Sequence, residues 1–596
     1  MSKRLSKLGW IVIIALLTLA LVAFPACTQT GEEEEEEENG GPAIPYKNDG
    51  IFVQMTIGEP ETLDPAASYD NASGEQIDLV YETLVDYDRG AAGDFVGQLA
   101  TDWVWNAADL TWTFTIRQGV KFHEGGDLSP EDVEYSFERA MIYDRLGGPT
   151  WMLFEPLLLA GEYAGLTFAD VDATVEVDGN NVVFTLADAG YTLIWLQTIC
   201  GGWGSIVDKE WCIANGEWDG TEADIPNHYQ QEDGTTYLWT HMNGTGPWKL
   251  NQWEHGVQFK LERFDDYWRE PAPFDFVISQ LVEEWTTRKQ ALLAGDADFV
   301  LVDKMYIPEI EGVADLLKIK DLGELAVTSM FMNQDIETED NDYIGTGQLD
   351  GNGIPGDFFS DPDVRKGFLY AFDYETAIRD IMLDEGITPP SPIVEGLLGY
   401  NPDASRYTYD LAKAEEHLKA AWGGQVWEKG FKFTAIYNSG NDMRKAAMEI
   451  LAENLFEINN KFQVAVVGLP WGTGMVPLLR SYRLVLYACG WGGDYPHAHN
   501  FVAPFMSTYG TFSKFMSYGS AELDATIEAA LLELDPEEQL DKYYELQQIW
   551  YDDAPAIMCW QPTGRRWFTK YIHGFFFNPM IPGDAGPLYY MSKSAS

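Results

Sequence analysis

The chain has 596 residues and a formal net charge of −57, with 95 acidic against 38 basic residues. Nucleic-acid binding requires a basic surface that neutralises phosphates, so this charge balance argues against that class of partner. Hydrophobic residues make up 46% of the chain and aromatic residues 14%, with 21 tryptophans, which is enough apolar material for several cores or a large ligand cleft.

Residues 1–27 have the pattern of a bacterial lipoprotein signal peptide. Three basic residues precede an apolar run at 8–24, which is short for a membrane-spanning helix. The run ends in Ala26 and Cys27, which resemble the site where a lipoprotein precursor is cleaved and lipidated on its cysteine. We expect a lipid on Cys27; an uncleaved membrane anchor or a free cysteine are the alternatives. Each of them places the rest of the chain outside the cytoplasm.

Residues 28–46 predict an extended, disordered acidic tether. They contain seven consecutive glutamates, Glu32 to Glu38, followed by Asn, Gly, Gly and Pro. A block of like charge repels itself and stays extended. We expect this segment to hold the folded body away from the membrane.

Strand and helix patterns alternate along the remaining chain. Residues 111–116 (TWTFTI) alternate polar and apolar side chains, and residues 181–186 (NVVFTL) have a similar pattern, so both predict strands. Four residues that can cap the free N–H groups of a first helical turn predict helix starts: Ser129, Asp361, Asp410 and Asp535. The mixture indicates an α/β or α+β protein.

Motifs for catalysis and for cofactors are absent from the sequence. It contains no GxxxxGK phosphate loop, no HExxH zinc site and no GxSxG nucleophile elbow. Two stretches that begin at Asp340 and Asp350 fail as calcium loops because key ligand positions are not acidic, and we expect turns there. We therefore predict no catalytic residue, no metal and no cofactor.

Four cysteines follow Cys27, and their pairing stays open. They are Cys200, Cys212, Cys489 and Cys559, and none belongs to a CxxC pair. An exported protein can oxidise its cysteines. A Cys200–Cys212 bond is possible by proximity in the sequence, but four cysteines allow three full pairings.

Several segments occur in an order that is informative as a set. They are residues 59–65 (EPETLDP), 81–85 (YETLV), 99–103 (LATDW), 112–125 (WTFTIRQGVKFHEG), 129–133 (SPEDV), 244–250 (GTGPWKL), 291–298 (ALLAGDAD) and 363–373 (DVRKGFLYAFD). Together they resemble the bacterial extracellular solute-binding family that includes oligopeptide-, dipeptide- and nickel-binding proteins, with the oligopeptide branch the most similar.

The resemblance implies an α/β fold with two periplasmic-binding-protein-like lobes, an extra third domain and a ligand cleft between the lobes. It places lobe I at 47–85, 205–300 and 560–596, the extra domain II at 86–204, and lobe III at 301–559. The implied function is the solute-binding component of an ABC importer, which captures a peptide, most simply an oligopeptide, and delivers it to the membrane permease subunits. We expect a monomer that is held at the membrane by its lipid.

Residues 490–495 (GWGGDY) resemble the family's ligand loop. The resemblance implies that Asp494 pairs with the ligand's amino group and that the loop backbone pairs with a peptide as an added strand. A carboxylate in a closing cleft is strongly compensated by a cationic amine, and glycine allows backbone to approach backbone. The remaining candidates of this loop are Trp491 as an apolar wall, Gly492, Gly493 and Tyr495.

Residues 436–445 resemble the oligopeptide-binding branch and add Tyr437, Asn438 and Met443 as candidates. Tyr437 falls near the place of the arginine with which dipeptide binders hold the ligand carboxylate. A short ligand clamped at both charged ends is therefore less expected than a longer peptide or another elongated solute.

Three alternative functions remain open from the sequence. The many tryptophans suit an oligosaccharide ligand, and His497 and His499 raise the possibility of a metal chelate. A secreted glycoside hydrolase would need two carboxylates about 5 to 9.5 Å apart, and no pair among the 95 acids stands out.

Overall fold

The computed structural model describes residues 43–583 and 586–595. The predicted signal peptide, Cys27 and the glutamate block lie outside the described residues. Among the described residues, no helix combines the length and the apolar composition that crossing a bilayer requires.

The packed body begins earlier than the boundary predicted at residue 46. Ile44 is only 1% exposed and packs in an apolar cluster with Trp567. Its N–H donates to Asp315 at 2.8 Å, and its carbonyl oxygen accepts from the Tyr571 hydroxyl at 2.7 Å. Residues 43–46 are therefore not part of an extended tether, because an apolar side chain and two hydrogen bonds hold them on the body.

The strands, in chain order, are β1 (Ile51–Thr56), β2 (Val85–Asp88), β3 (Ala91–Gly97), β4 (Ala100–Asn106), β5 (Thr111–Ile116), β6 (Val175–Asp178), β7 (Asn181–Thr185), β8 (Trp248–Glu254), β9 (Gln258–Arg263), β10 (Phe276–Leu281), β11 (Phe299–Val300), β12 (Leu316–Gly323), β13 (Ala326–Met332), β14 (Gly386–Ile387), β15 (Phe431–Asn438), β16 (Phe462–Leu469), β17 (Leu486–Gly492), β18 (Ala556–Thr569), β19 (Ile572–His573) and β20 (Ser592–Lys593).

The α-helices are α1 (Asn71–Val80), α2 (Pro130–Tyr143), α3 (Trp151–Leu158), α4 (Phe168–Asp172), α5 (Thr192–Thr198), α6 (Lys209–Ala214), α7 (Ile225–His228), α8 (Trp285–Ala294), α9 (Pro362–Ala371), α10 (Tyr374–Thr376), α11 (Leu411–Ala420), α12 (Gln425–Lys429), α13 (Asp442–Ile458), α14 (Val476–Arg480), α15 (His499–Met506), α16 (Thr511–Met516), α17 (Ala521–Leu531) and α18 (Pro536–Asp553).

The local sequence patterns are confirmed. The strand predicted at 111–116 is β5, and β7 ends one residue before the predicted 181–186. All four predicted capping residues cap their helices through a side-chain oxygen; at α2, Ser129 and Asp132 form a reciprocal capping box. These signals are local because each involves hydrogen bonds within one helical turn.

Most strands join one twelve-stranded sheet. Its order is β16-β15-β17-β13-β18-β11-β1-β10-β9-β8, and β12 and β14 also pair with β18. A separate four-stranded sheet has the order β4-β5-β7-β6. This smaller sheet lies wholly within residues 86–204, the segment predicted as the extra domain.

Strand β18 lies in the middle of the large sheet and joins its two halves. Its first residues pair with β13, from Phe331↔Ala556 to Thr328↔Trp560. Its last residues pair with β12 and β11, where Phe568 lies opposite Phe299. The lobe boundary predicted at residue 560 thus falls inside a continuous strand.

The segment 86–204 packs on helices from the far end of the chain. The ring of Phe515 in α16 approaches Gly147 so closely that a Cβ at Gly147 would lie 2.7 Å from it. Lys514 also forms a 3.0 Å ion pair with Glu162. The largest apolar cluster runs through both regions and forms one continuous core.

A buried ion cluster fixes α2 against the segments around it. The Arg139 guanidinium donates to both carboxylate oxygens of Asp64, at 2.9 and 2.6 Å, and to Glu217 at 2.7 Å. All three side chains are at most 4% exposed. Burial alone would raise the pKa of Glu217, but the charge of Arg139 and its hydrogen bonds outweigh this effect and lower it.

Removing this cation should strongly destabilise the protein. Arg139→Met would leave two carboxylates buried without their counter-charge, and we expect the free energy of unfolding to fall by about 3 to 5 kcal/mol at pH 7. Calorimetric melting would measure it. The matched control is Arg379→Met, because Arg379 pairs with Asp380 at the surface with its side chain 58% exposed, and such pairs contribute about 0 to 1 kcal/mol. Equal losses in the two variants would contradict the analysis.

Candidate ligand-binding cleft

The described residues enclose a cavity of about 480 Å³. Its wall combines the turn before α1, the end of β17, the start of α13, and residues 575–583 near the C-terminus. Aromatic side chains supply much of its surface: Tyr69, Tyr87, Trp203, Trp253, Phe259, Trp471, Trp491, Phe512, Phe515, Phe575, Phe576 and Phe577. Segments that are distant in the sequence therefore meet at one cavity.

The predicted ligand loop is the end of β17 and enters this cavity. β17 pairs with β13 along its full length, up to Gly492 opposite Ala326, and the Gly493 N–H continues the ladder to the Leu325 carbonyl oxygen at 2.9 Å. On its other side β17 pairs with β15 only through Leu486 and Tyr487. The last residues of the strand thus have strand pairing on one side only.

The two glycines of the loop meet different constraints. A Cβ at Gly493 would lie 3.0 Å from the ring of Phe501, so any larger residue would crowd that ring. A Cβ at Gly492 would meet nothing within 4 Å, and Gly492 is exposed. Both line the cavity and leave its wall open to a ligand backbone.

Asp494 lies in the cavity wall and accepts hydrogen bonds only from neutral groups among the described residues. Its Oδ2 accepts from the Tyr69 hydroxyl and from Asn500 Nδ2, both at 2.9 Å. Burial raises the pKa of its carboxyl from an ordinary 3.8 to about 7, and the two hydrogen bonds only partly oppose the increase. The carboxylate is therefore poorly compensated near neutral pH.

Tyr69 was not anticipated from the sequence. Its hydroxyl accepts from Trp151 Nε1 at 3.0 Å while it donates to Asp494, so three distant segments meet in one hydrogen-bonded chain. Its ring also packs edge-on against Trp491, with centroids 5.5 Å apart. No local pattern could reveal this contact, because Tyr69 and Asp494 are 425 positions apart.

Trp491 and Tyr495 have different places in the loop. Trp491 lines the cavity, is 7% exposed, and donates from Nε1 to the Asn500 carbonyl oxygen at 3.0 Å. Trp491 therefore belongs both to the cavity wall and to the hydrophobic core. Tyr495 is 1% exposed, lies outside the cavity lining, and bonds through its hydroxyl to His499 Nδ1 at 2.8 Å.

Of the three candidates predicted within residues 436–445, one lines the cavity and two do not. Asn438 is 8% exposed and lines the cavity. Tyr437 lies beside Gly468 of the neighbouring strand, and Met443 packs against a core cluster; neither belongs to the cavity lining.

Arg444 is a cavity residue that the sequence analysis missed. It lies in the first turn of α13, where Asn441 caps the helix, and its Nη1 donates to Asn438 Oδ1 at 2.6 Å. Its Nη2 lies 2.6 Å from where a Cβ on Gly490 would stand. A cationic group is therefore present beside the ligand loop, although not at the position of Tyr437 where the resemblance suggested one.

The histidines of the loop have partners within the protein. His499 is fully buried, with Nδ1 on the Tyr495 hydroxyl and Nε2 3.4 Å from a Glu155 oxygen. The His499 N–H donates to His497 Nδ1 at 3.2 Å. Burial lowers the pKa of His497 to about 4. Neither ring is presented to the cavity lining among the described residues.

One acidic group outside the cavity, Asp132 with Asp208 and Glu210, has ligand atoms within 4.8 Å of one another. Asp132 Oδ1 accepts from the Lys209 N–H at 2.9 Å, and Asp208 Oδ1 accepts from the Trp211 N–H at 2.8 Å. These carboxylates therefore already serve the starts of α2 and α6.

The four cysteines of the described chain are free thiols. The Cys200–Cys212 bond considered from sequence proximity is not formed. Burial raises the pKa of each thiol, which disfavours the reactive thiolate.

Comparisons with known proteins agree with this architecture. Residues 94–513 match the family described as "Bacterial extracellular solute-binding proteins, family 5 Middle", and the chain belongs to that family. It is 24% identical over 532 residues to the "Probable D,D-dipeptide-binding periplasmic protein DdpA" of Escherichia coli K12, covering 88% of this chain and 90% of that protein. It is 23% identical to heme-binding protein A of Haemophilus influenzae, covering 94% of this chain and 96% of that protein.

Among solved structures, the oligopeptide-binding protein AppA of Bacillus subtilis, in complex with a nonapeptide, matches with a TM-score of 0.74 and 20% identity. The match covers 92% of this chain and 100% of that one. The predicted family and the predicted two-lobed α/β fold with a third domain are confirmed. Members of this family are binding proteins.

The raised pKa of Asp494 predicts how the stability of the protein changes with pH. Between pH 4 and 7 the folded state keeps a proton that the unfolded state has released, so wild-type stability should fall as the pH rises. Asp494→Asn removes the titrating carboxyl. The melting temperature of the variant should therefore rise relative to that of the wild type from pH 4 to about 7, and the difference should then level off. Tyr69→Phe removes a hydrogen bond to the charged form and should shift this profile to higher pH. A difference that does not change with pH would refute the assignment.

Proposed function

We propose that this protein is the solute-binding component of an ABC importer and that it captures a peptide in the cleft between its lobes. The observation that carries the proposal is Asp494, a half-buried carboxylate with neutral partners at the end of a strand that is paired on one side only. The protein binds its ligand without chemical change and passes it, as a monomer, to the permease subunits in the membrane.

A peptide matches the groups that this cleft presents. Its backbone can pair with the open side of β17 near Gly492, which gives affinity that tolerates different side chains. Its terminal amine can compensate Asp494, and Arg444 offers a cation for a carboxylate or a carbonyl oxygen. Names of similar proteins include both a dipeptide and an oligopeptide binder, which supports the same class of ligand.

The domain boundaries suggest how the cleft closes. With lobes I and III meeting inside β18, that strand can act as a hinge element. Arg480 of α14 lies 3.8 Å from Glu61 and also bonds to the Leu146 carbonyl oxygen, so it joins parts of all three proposed domains. Ligand contacts on both lobes would favour this closed arrangement.

An oligosaccharide is the second candidate ligand. Trp203, Trp253 and Trp471 all line the cavity, and flat indole rings suit stacking against sugars. A metal chelate is less supported, because neither His497 nor His499 belongs to the described lining of the cavity.

The peptide assignment predicts coupling between Asp494 and the ligand amine. Asp494→Asn keeps the side-chain shape but removes the charge, and loss of one partner of a buried charge pair typically costs about 2 to 5 kcal/mol. Peptide affinity should therefore fall about 30-fold or more at pH 8. N-acetylation of the peptide should weaken wild-type binding similarly and hardly affect the variant.

Calorimetry on the four combinations of protein and peptide measures this coupling. The same titrations at pH 6 should show weaker wild-type binding, because Asp494 must release its proton before it can pair with an amine. Equal losses from acetylation in both proteins would exclude Asp494 as the amine partner. Binding of oligosaccharides and of no peptide would favour the second candidate.

We also propose that Cys27 carries a lipid that anchors the protein at the cell surface or in the periplasm. The support is the apolar run before Ala26 and Cys27 and the acidic segment after them. Metabolic labelling with a fatty acid should mark the wild-type protein and leave Cys27→Ala unlabelled and released or unprocessed. The control Cys559→Ala, which changes a buried thiol, should keep the label. A label that persists in Cys27→Ala would disprove the anchor.

A further inference from the structure

The two carboxylate oxygens of Asp494 have different surroundings. Oδ2 accepts hydrogen bonds from the Tyr69 hydroxyl and from Asn500 Nδ2, both at 2.9 Å. Oδ1 accepts none from a described residue, and it does not belong to the buried side-chain atoms of the described chain that lack a partner. Since Asp494 is half-buried and lines the cavity, Oδ1 is the oxygen that remains accessible there.

Asn500 makes three hydrogen bonds to the ligand loop. Its Oδ1 accepts from the Asp494 N–H at 2.7 Å, and its Nδ2 donates to Asp494 Oδ2. Its carbonyl oxygen accepts from Trp491 Nε1 at 3.0 Å. Because a backbone N–H can only donate and a carboxylate can only accept, the first two contacts fix which way the amide points. One residue therefore holds both the acid and the indole of the loop.

Packing keeps this amide in place. Asn500 is the second residue of α15 and is 0% exposed, and its Nδ2 lies 4.0 Å from Met152 Sδ in α3. Rotation of the amide would leave buried polar groups without partners, which is unfavourable. The sequence analysis considered the neighbouring histidines His497 and His499 and did not anticipate Asn500.

Tyr69 is the second donor to Oδ2. Its hydroxyl accepts from Trp151 Nε1 at 3.0 Å, and its single proton must point to Asp494, because an ionised carboxylate only accepts. A carboxylate oxygen offers about two lone-pair sites. Tyr69 and Asn500 together fill those of Oδ2, so Oδ1 alone is left to receive hydrogen bonds from a ligand.

One free oxygen fits an ammonium group better than a guanidinium group. An ammonium group is a compact charge that can direct its N–H groups to a single oxygen. A guanidinium group is a planar fork that pairs best with both oxygens of a carboxylate at once. Because Oδ2 of Asp494 is already occupied by Tyr69 and Asn500, the fork would lose one of its two hydrogen bonds. Hydrogen-bond geometry can therefore separate two cations of equal charge.

We infer that Asn500 and Tyr69 are positioning residues that leave only Oδ1 of Asp494 free for the ligand, and that the site therefore selects an ammonium over a guanidinium group. This inference rests on the proposed peptide function and specifies the group that the peptide presents to Asp494. Asn500 acts through Asp494 and not on the ligand, because it is fully buried and outside the described lining of the cavity.

Calorimetry with two forms of tetraalanine tests the selection. One form has its free terminal amine, and in the other this amine is converted into a guanidino group. At about pH 7.5 the amine is mostly protonated and the guanidino group fully so, and both carry one positive charge. The wild-type protein should bind the amine form about 10-fold or more tightly, because the fork loses a charge-assisted hydrogen bond. Equal affinity for the two forms would overturn the inference and leave the peptide function intact.

Two variants assign the selection to these residues. Asn500→Ala and Tyr69→Phe each free one lone-pair site of Oδ2, so each should reduce the amine preference to about 3-fold or less. Tyr69→Phe removes a single hydroxyl, so it tests the inference even if Asn500→Ala does not fold. A guanidino group excluded by its size alone would leave the full preference in the folded variants, and that result would overturn the inference.

Asn333→Ala is the matched control. Asn333 is 1% exposed, lies outside the described lining of the cavity, and also forms hydrogen bonds through both ends of its amide. This variant should lose stability and keep the full amine preference; the same reduction as in Asn500→Ala would overturn the inference. Failure of both peptides to bind the wild-type protein would instead reject the peptide function, and the positioning role with it.

Discussion

The architecture depends on one continuous strand. β18 runs from Ala556 to Thr569, over 14 residues, and pairs with β13 at one end and with β11 and β12 at the other. Backbone hydrogen bonds at both ends are satisfied only if the two parts of the sheet stay attached to the same strand. The position of the cleft follows, because β17 lies next to β13 and its final residues extend beyond the pairing with β15.

The partners of each acidic side chain distinguish the structural ion cluster around Arg139 from the proposed ligand site at Asp494. Arg139 lies between Asp64 and Glu217, so that group is complete within the protein and stabilises the packing of α2. Asp494 is half-buried in the cavity wall, yet it meets only a phenol and an amide among the described residues. An acid whose pKa is raised to about 7 by burial is poised to gain from an added cation, which a purely structural acid is not.

The cleft combines different recognition chemistries at separate places. In the proposed complex, main-chain groups at the end of β17 would not discriminate between side chains, whereas Asp494 and Arg444, which both line the cavity, would bind groups of opposite charge. The aromatic surface supplies apolar contact with any of these ligands, so the polar groups decide orientation and preference.

Local signals and the family resemblance made the class of protein, its two-lobed fold, the helix caps such as Ser129 and Asp535, and the loop around Asp494 predictable from the sequence. Capping needs only a side chain and the next turn of backbone, and a strand pattern needs only alternation, so both are written in neighbouring residues. Three contacts follow only from the tertiary structure. The Tyr69 hydroxyl donates a hydrogen bond to Asp494, and the amide groups of Gln54 and Gln76 both donate to Glu75. Arg444, rather than Tyr437, lines the cleft. Each of these contacts depends on helix rotation or on sheet order across long sequence separations, and no local periodicity encodes either of them.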